Sequence, residues 1–187
     1  MTGEPTTQRR IFKGATTPQG EIRDLLSSVF TQELLVPSPV LTIIAPWLSN
    51  VTIIDNQAGN FSGINPDWPH RAIRLNEVLV QLAQVGTDLR IAVRPDDHNR
   101  SFARKMTDSA EEGGVAERLR LVAIENLHTK GLLGQSWVIL GSMNLTWNGI
   151  EINEEYVSYE TTPDAVSQAQ LHFNQLFQSA GPNWAVA

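Results

Sequence analysis

Between Leu127 and Tyr156, polar residues interrupt strand-like apolar sequence in the run LHTKGLLGQSWVILGSMNLTWNGIEINEEY. His128 and Lys130 stand two apart, so on an extended segment both side chains project to the same side and can meet one anionic group. Ser142 and Asn144 repeat that spacing directly after Gly141. On adjoining strand ends, the two pairs would gather an imidazole, an ammonium, a hydroxyl and a carboxamide. That set suits a phosphate ester. Lys130 neutralises charge, Asn144 donates hydrogen bonds to non-bridging oxygens, and His128 is left to attack or to transfer a proton. Gly141 reads either as a bulge glycine or as a position where backbones approach closely.

The elements that must position these groups are visible in the periodicity. Ile22, Leu25, Leu26, Val29 and Phe30 recur at helical spacing over residues 21–35, and Pro37 and Pro39 end that helix. Strands are expected at 40–45 and 51–54, followed by a long Gly/Asn/Pro-rich loop over 55–70, either functional or a disordered insertion. A helix over 73–85, a strand at 89–93, a polar turn over 94–100, a helix over 101–112 and a strand at 119–124 come next. Residues 130–133 and 137–140 read as a hairpin or two nearly abutting strands, 144–152 as a short helix or loop, and 155–159 as a strand. A last helix opens at Pro163 and Asp164, with Val166, Ala169, Phe173 and Leu176 along one face, and closes at Gly181 and Pro182. This alternation predicts an α/β fold with a mixed, largely parallel central sheet flanked by helices on both faces. The expected organisation is a polar N-terminal tail over 1–20 and one domain over 21–187.

The motif resembles the phospholipase D superfamily, whose signature is His-x-Lys, an aspartate five residues after the lysine, then Gly-Ser-x-Asn and a glutamate about eleven residues further on. Here His128-Thr129-Lys130, Gly141-Ser142-Met143-Asn144 and Asn153-Glu154-Glu155 match in order, and Leu145-Thr146 follow as they often do. The sequence departs at Gln135, which stands where the family has aspartate, and the span from Lys130 to Gly141 is one residue shorter than usual. In the family that aspartate supports the site. The resemblance implies a metal-independent phosphodiesterase acting through a covalent phosphohistidine on His128. Lys130 and Asn144 would bind phosphoryl oxygens with Ser142 and Gly141 beside them, and Glu155 would orient a histidine. A second histidine is needed, and the chain holds one copy of the motif. The resemblance therefore implies a two-fold homodimer with a shared site. The HTKGLL and GSMNLT wording is also similar to phospholipase D-like proteins of anti-phage and DNA-modification systems, which implies a place in a larger defence assembly.

Composition bounds these readings. The 187 residues suffice for one domain, and zero cysteines exclude disulfides and thiolate ligands. Four histidines lack zinc-site spacing, so no metal or other cofactor is expected. The net charge of -6 requires any nucleic-acid contact to be local. A strip of Arg71, Arg74, Arg94, Arg100, Arg104 and Lys105 is one candidate, with an ordinary solvated face as the alternative. Trp47, Trp68, Trp137 and Trp147 are candidates for a stacking groove, at least two of them for the core. His70, His98 and His172 read as surface or loop residues. With no signal peptide and no spanning segment, the expectation is a cytoplasmic protein without membrane contact. The expected activity is that of a nuclease on DNA or RNA. The alternatives are an inactive nucleic-acid-binding or dimerisation module and a phospholipid hydrolase.

Overall fold

The computed structural model describes residues 8–14 and 20–184. In chain order the elements are β1 (Gln8–Lys13), α1 (Glu21–Leu35), β2 (Val40–Ile44), β3 (Thr52–Asp55), β4 (Ala72–Arg74), α2 (Leu75–Gln84), β5 (Asp88–Val93), α3 (Asp97–Glu112), β6 (Leu119–Ala123), β7 (Gly131–Leu133), β8 (Val138–Gly141), β9 (Glu155–Glu160) and α4 (Pro163–Ser179). A π-helical turn, Asn148–Ile152, links β8 to β9. Seven strands form one mixed sheet in the order β1-β9-β8-β7-β2-β5-β6, while β3 and β4 make a separate ribbon. A core of α1, α2 and α3 side chains, including Phe30, Leu79 and Phe102, packs on one face of the sheet. On the other face Phe173 and Phe177 of α4 pack against Ile44, Ala92, Val122, Leu133 and Val138.

The α/β class with helices on both faces is as expected, but the parallel part is smaller. Only β2-β5 and β5-β6 pair in parallel, and β1, β7, β8 and β9 join antiparallel. The physical reason is connection length: β7 to β8 is a tight turn with no room for the crossover that a parallel pair requires. Residues 8–13, read as part of a polar tail, form an edge strand instead. Ile11 is its one buried side chain, too weak a pattern to register in the sequence. The 55–70 loop is packed rather than an unstructured insertion. Trp68 is buried, and Asn56 accepts from Phe61 N and donates to Pro69 O across the loop. Among the described residues no helix is long and apolar enough to cross a membrane.

Strand register fixes what one end of the sheet can hold. Ile44 pairs with Ala92 and Gly131, Gly131 with Leu140, Gly141 with Val157, and Lys13 with Glu155. The carboxyl ends of β1, β2, β5 and β8 therefore lie along one edge together with the amino ends of β7 and β9. Ligand sites of open α/β sheets lie beyond that edge.

Candidate active site

His128 and Lys130 precede β7 at this edge. The His128 ring is exposed, and Arg94 Nη2 lies 3.4 Å from its Nδ1 and 3.2 Å from its Nε2. Lys130 Nζ donates to the His128 carbonyl at 3.0 Å, and Thr129 points away toward His172 on α4, 3.4 Å distant. Arg94, the first residue after β5, is fixed by its Nε bond to Leu127 O at 2.8 Å and lies over the Trp47 ring at 5.0 Å. Trp47 N in turn donates to Asn144 Oδ1 at 3.3 Å. A continuous series of contacts thus runs from His128 through Arg94 and Trp47 to Asn144.

Asn99 and Asp96 hold that series in place. Fully buried, Asn99 accepts from Leu48 N and donates to Pro46 O and Arg94 O, clamping the chain after β2 to the chain after β5. Asp96 caps α3 through Asn99 N and also accepts from Trp47 Nε1 at 2.8 Å. Sequence reasoning missed both, because each looks like an ordinary polar turn residue.

Ser142 and Glu155 form a second group. Ser142 Oγ donates to Glu155 Oε2 in a short bond and accepts from Tyr156 N at 3.0 Å, while Asn153 Nδ2 lies 3.5 Å from Glu155 Oε1. Glu155 is buried and engages no histidine of its own chain among the described residues. Lys13, opposite Glu155 in the sheet, donates to Gly149 O at 2.9 Å. Burial holds its ammonium below the ordinary lysine value of 10.5, opposed by the charges of Glu155 and Glu151. Between that lowered value and 10.5, the unfolded chain binds more protons here than the folded one, so stability rises with pH. In pH-dependent denaturant unfolding, Lys13→Met should lack this rise.

Gln135 stands where the motif has aspartate. Exposed Gln135 sits in the β7-β8 turn, where its backbone N–H donates to Ser38 Oγ at 2.8 Å. Ser38 N and Oγ both donate to Glu33 at 2.9 Å, and Trp137 Nε1 donates to Glu33 Oε1 at 2.6 Å. A buried carboxylate from α1 thus anchors the hairpin that carries Lys130 and Gly141. Glu33→Gln replaces one acceptor by a donor facing these N–H groups. We expect a loss of about 1–3 kcal/mol, read as a lower denaturant midpoint at unchanged slope.

The other sequence candidates divide. Of the basic strip, Arg71 pairs with Glu77 and Arg100 with Asp97, while Arg94 reaches the motif at His128. Trp68 and Trp137 are core residues, whereas Trp47 and Trp147 are exposed. His98, read as a lone surface histidine, lies 2.9 Å from Ser49 Oγ and lines a cleft of about 370 Å³ that also contains Asn144 and both exposed tryptophans.

The chain matches the family described as cardiolipin synthase, PLD-like domain, over residues 51–177. It belongs to the phospholipase D-like family, as its motif implies. No curated protein sequence matches it. Among solved structures it is similar to Nuc, a phospholipase D family member from Salmonella typhimurium, with a TM-score of 0.63 at 14% identity, covering 95% of this chain and 98% of that one. It is similar to NucT from Helicobacter pylori with a TM-score of 0.59 at 13% identity, covering 95% and 99%. Phosphatidylserine synthase from Haemophilus influenzae gives 0.56 at 17% identity, covering 94% of this chain and 39% of that one. At these identities the likeness is one of fold.

Proposed function

We propose that this chain is a metal-independent phosphodiesterase acting on nucleic acid, with a site completed by a second copy of itself. The observation that carries the reading is that His128, Lys130, Asn144 and Glu155 share one edge of the sheet. In the proposed reaction an imidazole nitrogen of His128 attacks phosphorus and the bond to the leaving oxygen breaks. That oxygen takes a proton from His128 of the partner subunit. Water, deprotonated by the same second imidazole, then attacks phosphorus and breaks its bond to His128, releasing a phosphate monoester. Lys130 and Asn144 neutralise and hydrogen-bond the non-bridging oxygens as charge builds on them, and Arg94 adds a cation beside the nucleophile. Because Glu155 finds no histidine in its own chain, its role is to orient the imidazole of the partner subunit.

Gel filtration with light scattering and a fluorogenic phosphodiester in excess EDTA test this together. A dimer that turns over in EDTA is the expected result. A folded protein with no turnover, or an active strict monomer, contradicts it.

A further inference from the structure

We infer that the cleft lined by Asn144, Trp47 and Trp147 is a subsite for an unpaired nucleobase, so that the substrate class is single-stranded nucleic acid. This rests on the phosphodiesterase reading above. The cleft measures about 370 Å³, within the ~300–1,000 Å³ range of ligand pockets. Its walls carry no lysine, arginine, aspartate or glutamate. With Arg94 and Asp96 held on Trp47 rather than among the lining residues, the walls suit a flat neutral group with polar edges better than an anion or an ammonium headgroup.

Two indoles present the surface for such a group. Trp147 is 61% exposed and Trp47 39%, an unusual outlay of aromatic surface to water beside a cleft. Trp47 is already immobilised: its Nε1 is held by Asp96 at 2.8 Å and one ring face is covered by Arg94 at 5.0 Å. A rigid platform loses little freedom when a base stacks on it. Around the indoles stand the Ser49–His98 pair, Asn148 and Asn153, which offer donors and acceptors to the edges of a base without committing to one.

Asn144 joins the two subsites. It lines the cleft, and its Oδ1 accepts from Trp47 N, leaving Nδ2 to donate to a phosphoryl oxygen. A base on the tryptophans would therefore set the position of its own phosphate against His128. A base inside a duplex is stacked and paired and must first be extruded against that stacking and pairing, a cost that an unpaired base does not carry.

The test uses His128→Ala as a non-cleaving background and fluorescence anisotropy at one fixed salt concentration. The probes are labelled oligothymidylate, an abasic oligomer of equal length, and the equivalent duplex. Base stacking on aromatic side chains predicts that oligothymidylate binds about 10-fold or more tighter than the abasic oligomer, with the duplex no tighter than the abasic strand. Adding Trp147→Ala should collapse that ratio toward one, and Trp147→Phe should retain most of it. Trp147 is exposed, so neither change threatens folding. Equal affinities for the thymidine and abasic strands, or a ratio unmoved by Trp147→Ala, would overturn the subsite. Wild-type turnover of both strands in EDTA with no base preference also overturns it while leaving the phosphodiesterase reading intact. Absence of turnover overturns that reading, and the binding ratio still decides the subsite.

Discussion

His128→Ala should reduce turnover of a phosphodiester by on the order of 10³-fold or more, because in the proposed mechanism it removes the atom that forms the bond to phosphorus. Lys130, Asn144 and Arg94 would remain to bind the ester, so substrate affinity should fall far less than the rate. The fold should be indifferent. The ring is exposed and its contacts are to Arg94, which keeps its own bond to Leu127 O and its place over Trp47. Substitutions of this kind stay within about 0.5 kcal/mol. Steady-state kinetics beside a thermal unfolding curve separate the two effects. A variant that unfolds early, or one that keeps its rate, would show that the imidazole is structural.

Gly141→Ala should be a severely damaging change for a single methyl. A Cβ at this position would lie 2.0 Å from the Tyr156 carbonyl oxygen and 3.1 Å from Val157 Cα, both of them backbone neighbours that cannot rotate aside. Relief requires β8 to part from β9 where Gly141 pairs with Val157. That movement would also pull Ser142 from Glu155 and from Tyr156 N. The expected cost is about 3 kcal/mol or more, with loss of activity even where the variant folds. Urea unfolding measures it. A midpoint unchanged from wild type would mean that the β8-β9 approach is looser than described.

Much of this architecture was legible from periodicity. The helix over 21–35 coincides with α1, and the strands at 40–45, 89–93 and 119–124 fall on β2, β5 and β6, because each buries an unbroken apolar face. His128, Lys130, Ser142 and Asn144 stand out by their two-residue spacing and their fit to a phosphate, whereas Glu155 is reached only through the family resemblance. What escaped was whatever depends on partners distant in sequence. β4 is three residues long and merges with the start of α2, so its pattern reads as helix. β1 has one buried residue. Glu33 falls on the apolar face of an amphipathic helix, and only the fold reveals that Ser38 and Trp137 meet it there. Arg94 was noticed for its charge but not for its place beside His128, since that contact spans two separate strand ends.

In the proposed mechanism two copies of His128 serve one phosphate, and mixed dimers reveal whether they do. Wild-type and His128→Ala chains would be combined in varied proportions, exchanged to equilibrium, and assayed for total phosphodiester turnover in EDTA. If each site needs an imidazole from both subunits, activity falls as the square of the wild-type fraction. Activity that falls in simple proportion to that fraction would mean that one chain carries the whole reaction.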